Sequence, residues 1–229
     1  MEFPLTAQKN GMTAIVGPSG SGKSTIARLI ASFWEAESGG VRIGGVDVRN
    51  IPLPQIMELV SYVSQDNFLF HLSIRENIRI GKPEATDAEI EAAAKKASCH
   101  VSSPLCRRAM IRWRAMREAI SPAEKGSESP CKAILKNSPI VVLDEATAFT
   151  DPENEAVIQA SIAGLVAGKT LIVIAHRLST ITKADKILVV DKGNVAAEGT
   201  HEELLETNDL YKELWKAHMQ GKDTAEEVA

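Results

Sequence analysis

Residues 17–25 have the composition and spacing of a phosphate-binding loop. They read Gly17, Pro18, Ser19, Gly20, Ser21, Gly22, Lys23, Ser24 and Thr25. This fits the pattern G-x-x-x-x-G-K-[ST] without a mismatch. Glycines let the backbone curl so that several N–H groups point at one anion, and a following helix turns its positive end toward the same place. Lys23 adds a full charge for the β- and γ-phosphates and the Ser24 hydroxyl can ligate Mg²⁺, so we predict a site for a nucleoside triphosphate.

Two acidic residues follow an apolar run in the second half of the chain. Ile140–Leu143 is a continuous apolar stretch, typical of a buried parallel strand, and Asp144 and Glu145 come directly after it. In a phosphate-binding site, Asp144 would hold Mg²⁺ through water, and Glu145 would polarise an attacking water molecule. Solvated acids also end ordinary strands, so this pattern indicates a site only in combination with the loop at 17–25.

A histidine and a glutamine also follow predicted strands. His176 comes after the apolar run Thr170–Ala175, and Gln65 comes after Ser61–Ser64. A single histidine is more often structural than catalytic, but its position at the end of a core strand favours contact with the γ-phosphate. An amide at Gln65 can reach Mg²⁺ or the attacking water, although one glutamine is weak evidence by itself.

The elements that position these residues are predicted to form an α/β core. Apolar residues fill Thr13–Val16 before the loop and recur at helical spacing in Ile26–Ala31 after it. Strands that alternate with helices imply a layered fold with a mainly parallel sheet, whose carboxyl edge holds the chemistry. A small antiparallel portion is predicted from Val41–Ile43 and Val46–Val48, which flank two glycines.

Local signals mark the starts of two further helices. Thr86 and Glu89 have the spacing of a capping box ahead of the helix-forming stretch at 90–94. Asp151 is followed by a proline, so it is predicted to cap another helix whose first position is that proline.

The carboxyl-terminal part is predicted to contain a hairpin and two helices. Lys186–Val190 and Val195–Ala197 flank the turn sequence at 191–194. His201–His218 has the pattern of two amphipathic helices, and residues 220–229 are predicted to form a flexible tail.

The composition indicates an ordinary globular chain. Its 229 residues suffice for one domain, or for one domain with a subdomain, and 44% of them are hydrophobic and 24% charged. The net charge of −4 gives no indication of nucleic-acid binding, and no apolar run is long enough to cross a membrane. The three cysteines lack metal-ligand spacing and are odd in number, which favours a reduced, cytosolic chain.

Several of these motifs stand together in the order of one known family. They are the loop at 17–25, residues 64–66, residues 143–148, Asp151 and residues 175–180. The sequence resembles the ATP-binding domain of an ABC transporter along nearly its whole length. The stretches at 65–70, 73–78 and 199–204 are most similar to the exporter type, in which this domain follows a membrane domain.

The resemblance implies a role for each motif. Residues 17–25 would be the Walker A loop, and Ile140–Asp144 the Walker B strand. Glu145 would be the catalytic base, Gln65 the Q-loop residue that senses the membrane domain, and His176 the switch histidine. The expected site therefore has catalytic residues Glu145, His176 and Gln65, Mg²⁺ ligands Ser24, Gln65 and Asp144, and ATP contacts from Gly17, Pro18, Ser19, Gly20, Ser21, Gly22, Lys23, Ser24, Thr25 and Asp151.

The resemblance also implies the domain plan and the partners. Residues 1–229 would form one P-loop NTPase-type domain, with a helical subdomain at 67–137. Two such domains, identical or different, sandwich two ATP molecules head to tail in this family. They drive a membrane domain from the cytoplasmic face of the membrane, with ATP and Mg²⁺ as the required ligands.

The amino-terminal end differs from the family pattern. Family members carry further strands before the Walker A loop, with an aromatic residue that stacks on adenine, and Phe3 alone could supply one here. We expect the chain to be a fragment of a longer polypeptide. Adenine binding should be weakened, since such stacking contributes roughly 1–3 kcal/mol.

The family signature Leu-Ser-Gly-Gly-Glu/Gln is absent from the place where it should stand. Residues 120–125 read Ile-Ser-Pro-Ala-Glu-Lys, and the arginine-rich stretch 101–131 has no clean periodicity. Permissible codons for Ile120–Gly126, read two bases later, encode Leu-Ser-Gly-Gly-Glu-Arg. The same offset over Arg107–Arg114 encodes Glu-Gly-Tyr-Asp-Thr-Val-Ala, which is also typical of the family. Our hypothesis is that 101–131 is a frame-shifted stretch, rather than a basic patch for nucleic acid.

The sequence leaves more than one function open. The leading interpretation is the ATP-hydrolysing motor domain of an ABC exporter. With Pro122 and Ala123 in place of two glycines, the chain as written could instead be a catalytically impaired ATP-binding module that supports an active partner. A soluble ABC-type ATPase of DNA repair or translation would usually have long insertions or tandem domains. A P-loop kinase would lack the set Gln65, Glu145 and His176.

Overall fold

The computed structural model describes residues 5–64, 70, 72–97, 128–144, 168–175 and 178–226, and the side chains of all of these except 128–130 and 221–226. The described strands are β1 (Met12–Val16), β2 (Arg42–Ile43), β3 (Val46–Asp47), β4 (Val60–Val63), β5 (Ile140–Asp144), β6 (Thr170–Ile174), β7 (Lys186–Asp191) and β8 (Asn194–Gly199). The described helices are α1 (Lys23–Ile30), α2 (Leu53–Leu59), α3 (Ile74–Arg79), α4 (Asp87–Lys96), α5 (Glu128–Lys136), α6 (His201–Thr207) and α7 (Asp209–Glu226), with 3₁₀ turns at Val48–Asn50 and Leu178–Ile181.

Six strands form one sheet in the order β4-β5-β6-β1-β7-β8. The first five are parallel, and β8 pairs antiparallel to β7 across the predicted hairpin. Ile15 of β1 and Asp144 of β5 both pair with Ile174 of β6, so the carboxyl ends of these three strands meet at one edge. The predicted α/β fold with a mainly parallel sheet is therefore confirmed. The predicted small antiparallel portion is confirmed as well, because β2 pairs antiparallel with β3.

Apolar side chains cover both faces of the sheet because successive residues of a strand point to opposite sides. One face packs against α1 and α2 through Ile15, Ala27, Ile56, Val142 and Leu188. The other face packs against α5, α6 and α7, and its cluster includes Val141, Leu143, Ala133, Leu204 and Tyr211. Near-continuous burial of β1, β5, β6 and β7 follows from this double coverage.

A separate apolar cluster joins α3, α4 and α5. It contains Ile74, Ile78, Ala85, Ile90, Ala93, Ala94, Ala97, Cys131 and Leu135. This cluster is compatible with a helical subdomain, whose predicted bounds of 67 and 137 stay a prediction. Residues 98–127, which include most of the anomalous stretch, lie outside the described part of the chain.

Two helices follow β8, as the sequence predicts, and both pack on the sheet. Tyr211 is fully buried, and burial raises its pKa to about 12. Its hydroxyl oxygen lies 2.8 Å from Nδ1 of His201, which ties α7 to α6. Helix α7 continues to Glu226, into the stretch that the sequence predicts to be a tail. The cost of one glycine within a helix, about 1 kcal/mol, is too small for Gly221 to end it.

The capping box at the start of α4 is present, and it gives a testable contribution to stability. The Thr86 hydroxyl accepts a hydrogen bond from the Glu89 N–H at 3.3 Å, and the Glu89 carboxylate accepts one from the Thr86 N–H at 2.8 Å. Hydrogen bonds to its carboxylate from Lys82, and then from the N–H and the hydroxyl of Thr86, lower the pKa of Glu89 to about 2. Thr86→Ala is expected to lower the free energy of unfolding by about 1 kcal/mol, measured by urea denaturation. Thr86→Ser keeps the acceptor and should unfold like the parent; equal loss in both variants would contradict the capping role.

Candidate functional site

Residues 17–22 connect the carboxyl end of β1 to α1, and residues 23–25 form the first turn of α1, at the edge where the parallel strands end. It is supported from the side by the turn between β7 and β8. The Gly193 N–H donates a hydrogen bond to the Ser21 carbonyl at 3.0 Å, and Gly17 lies directly against the Val190 carbonyl oxygen. The sequence did not predict this support, because no local pattern links the hairpin to the loop.

Lys23 is folded over the loop that it follows. Only 6% of the residue is exposed, and its Nζ donates hydrogen bonds to the carbonyl oxygens of Gly17 at 2.9 Å and Pro18 at 2.8 Å. A hydrogen bond from an ammonium group to a phosphate oxygen is about twice as strong as one to a neutral acceptor. The ammonium group is therefore placed where an anion in the loop would attract it away from these carbonyls.

The start of α1 follows the glycines of the loop. Its N-cap is Gly22, which has no side chain to cap the first turn. The first N–H groups of a helix lack partners within the helix and attract anions. The nearby Ser21 hydroxyl is buried and has no hydrogen-bond partner among the described residues. The helix start and the Ser21 hydroxyl together fit a phosphate group.

Ser24 and Asp144 lie together although 120 residues separate them. The Ser24 hydroxyl donates a hydrogen bond to Oδ1 of Asp144 at 3.2 Å, and Asp144 is 6% exposed. Hydroxyl and carboxylate oxygens are hard ligands that Mg²⁺ accepts. Protein Mg²⁺ sites commonly use one or two carboxylates and complete the shell with substrate phosphates and water. The pair therefore fits a magnesium–nucleotide site; that these two residues bind Mg²⁺ stays a prediction.

Tyr62 is an additional residue at this site that the sequence did not single out. Its hydroxyl donates a hydrogen bond of 2.5 Å to Oδ2 of Asp144. Burial, and then the Asp144 carboxylate, raise the pKa of Tyr62 well above its ordinary value. The contact joins residues 82 apart on the neighbouring strands β4 and β5. Its place in the sheet accounts for the contact. Tyr62 pairs with Val142, and Val142 lies two residues before Asp144 on β5, so Tyr62 and Asp144 are on the same face of the sheet.

The other predicted site residues lie outside the described part of the chain. They are Gln65, Glu145, Asp151 and His176. The residues that precede three of them are described: Ser64 follows β4, Asp144 ends β5, and Ala175 follows β6. These three strands are neighbours in the sheet and end at the edge that carries the loop. Of the remaining predicted ATP contacts, Ser19 and Gly20 are exposed in the loop, and Thr25 is exposed in the first turn of α1.

Comparison with known protein families shows to which family the chain belongs. The family model described as "ABC transporter" matches residues 2–148. The chain belongs to the ABC transporter family. This ABC transporter chain is 40% identical to "Mycobactin import ATP-binding/permease protein IrtA" of Mycobacterium tuberculosis, over 93% of the chain and 25% of the relative. It is 40% identical to human "ATP-binding cassette sub-family B member 6", over 99% of the chain and 27% of the relative.

The solved structures agree with this assignment. The chain is similar to a protein described as "Structure of a bacterial Atm1-family ABC exporter with ATP bound", with a TM-score of 0.83 and 36% identity. The match covers 92% of this ABC transporter chain and 37% of that structure. The chain thus corresponds to the ATP-binding domain of an ABC transporter and spans about a quarter of the curated relatives. None of its described helices is long and apolar enough to cross a membrane.

Proposed function

We propose that this domain binds Mg-ATP and hydrolyses it to drive an exporter-type ABC transporter. The observation that carries the proposal is the contact of Ser24 with Asp144 beside Lys23. It joins the phosphate-binding loop to the acidic strand end, the two halves that a nucleotide-hydrolysing site requires. The chain matches both sequence motifs, and the two motifs meet at one edge of the sheet. Residues of these types brought together by chance would not show both features.

Each residue has a proposed task. Lys23 and the N–H groups at the start of α1 bind the phosphates, and Ser24 and Asp144 hold Mg²⁺ with Gln65. When bound, Mg²⁺ neutralises charge that develops on the phosphate oxygens. Glu145 orients the attacking water as general base, His176 contacts the γ-phosphate, and Asp151 contributes the D-loop acid.

The proposed partners are a second ATP-binding domain and a membrane domain. The curated relatives support this, because the name of IrtA joins an ATP-binding part to a permease. We place the domain on the cytoplasmic face of a membrane.

The proposed direction of transport is export. It is supported by the motif at 65–78 and by the similar Atm1-family exporter. IrtA is named for import, so transport by the complete protein in inside-out vesicles is the direct test of direction.

A second candidate function is supported by the missing signature. Pro122 and Ala123 stand where the family has two glycines, which removes an amide donor from the surface that closes on ATP in the dimer. A chain with this sequence would bind ATP and support an active partner without efficient hydrolysis. We propose that a frame shift over 101–131 produced this difference; resequencing the DNA and finding other codons in an intact frame would contradict it.

Equilibrium binding of a fluorescent ATP analogue tests the nucleotide site. Lys23→Met is expected to weaken binding roughly 100-fold, because hydrogen bonds to charged groups contribute about 1.5–3 kcal/mol and each 1.4 kcal/mol is tenfold in affinity. Lys95→Met removes an exposed lysine of α4 and should bind like the parent. Absence of saturable binding by the parent, or equal affinity of the Lys23 variant, would contradict the proposed function.

A further inference from the structure

The two carboxylate oxygens of Asp144 have separate hydrogen-bond donors. Oδ1 accepts from the Ser24 hydroxyl at 3.2 Å, and Oδ2 accepts from the Tyr62 hydroxyl at 2.5 Å. The longer bond faces the phosphate-binding loop, and the shorter one comes from strand β4 beside it. The carboxylate is therefore held more firmly on the side that faces away from the loop.

The direction of the shorter bond follows from its two groups. The Tyr62 hydroxyl carries a single proton, and it donates this proton to Oδ2 of Asp144. The hydroxyl therefore holds the carboxylate oxygen that the Ser24 hydroxyl does not contact.

The ring of Tyr62 is packed as well as hydrogen-bonded. Phe33 meets it edge to face, with 5.1 Å between ring centres. Phe33 itself is 61% exposed. The packing limits the positions that the hydroxyl group can take, and the hydroxyl in turn limits the rotation of the carboxylate. A carboxylate without such partners rotates broadly about its last side-chain bond.

We propose that Tyr62 is a positioning residue for the magnesium site. By holding Oδ2 of Asp144, it keeps Oδ1 directed at Ser24 and available to the divalent cation of the bound nucleotide. This inference rests on the proposed function. Residues that orient metal ligands in this way typically change metal affinity by about 10–100-fold when they are replaced.

Tyr62→Phe removes the hydroxyl group and keeps the ring that packs against Phe33. A fluorescent ATP analogue is titrated in excess EDTA, and then Mg²⁺ is titrated at fixed nucleotide. Affinity in EDTA should stay within about twofold of the parent, because the phosphate-binding loop is intact. The Mg²⁺ concentration at half-maximal response should rise roughly 10-fold or more. A role in packing alone would instead change the EDTA affinity and the thermal midpoint without a selective effect on Mg²⁺.

A matched variant sharpens the result. The chain has two tyrosines, and Tyr211→Phe removes the other phenol hydroxyl on the opposite sheet face, so it should leave the Mg²⁺ response unchanged. An unchanged Mg²⁺ response in Tyr62→Phe, with a parent that binds nucleotide, overturns the role of Tyr62 alone. A parent that binds no nucleotide overturns the proposed function and this inference with it.

Discussion

A version of the chain in which 101–131 carries the shifted-frame sequence is expected to hydrolyse ATP roughly 100-fold faster than the chain as written, or more. The shifted frame replaces Pro122 and Ala123 by two glycines within Leu-Ser-Gly-Gly-Glu-Arg. In the proposed dimer this loop supplies amide donors to the γ-phosphate of the facing subunit. Removing one such preorganised donor typically lowers the rate by about 10²–10³. Phosphate release under saturating Mg-ATP measures the difference.

The control for this experiment is a variant of the restored chain. Glu145→Gln removes the proposed general base with little change in size, so the restored chain with this substitution should fall to the background rate. Nucleotide affinity should be similar in all three proteins, since Lys23, Ser24 and Asp144 are the same in each. If the chain as written hydrolyses ATP as fast as the restored one, the signature hypothesis is wrong, and 101–131 has a function of its own.

The parts of the site that the sequence predicted are those encoded in short local patterns. The loop at 17–25 is recognisable from its glycines and lysine, and Asp144 from the apolar strand that precedes it. Their closeness then follows from a general rule, that parallel strands bring their carboxyl ends to one edge. The hydrogen bond between Ser24 and Asp144, which are 120 residues apart, agrees with this rule.

The parts that the sequence did not predict depend on which elements become neighbours. Tyr62 reaches Asp144 only because β4 is placed beside β5, and the apolar composition of these strands does not specify that order. The support of the loop by Gly193 depends in the same way on β7 lying beside β1. Helix α7 extends to Glu226, past His218 where the predicted amphipathic pattern ends, because the weak helix-breaking preference of Gly221 does not stop it.

Gly17→Ala is expected to disrupt both the loop and the fold around it. Gly17 has a φ of +154°, and a β-carbon there would lie 2.0 Å from the Val190 carbonyl oxygen and 2.9 Å from the Ser21 hydroxyl. Val190 is fully buried within β7, and β7 pairs with β1, the strand that leads into Gly17. Neither β1 nor β7 can therefore move away without loss of their pairing. Overpacking costs about 1–3 kcal/mol and an unfavourable backbone conformation about 1–3 kcal/mol more. We expect the free energy of unfolding to fall by about 2–6 kcal/mol in urea denaturation.

Gly39→Ala separates the two causes of this loss. Gly39 also has a positive φ, of +73°, but a β-carbon there would meet no described atom within 4 Å. This variant should therefore lose only about 1–2 kcal/mol, the cost of the left-handed conformation, and should bind the fluorescent ATP analogue like the parent. Gly17→Ala should in addition bind it at least tenfold more weakly, because the displaced loop no longer directs its N–H groups at one anion. Equal loss of stability in the two variants, with nucleotide affinity retained in both, would show that the close approach of Gly17 to β7 does not fix the geometry of the loop.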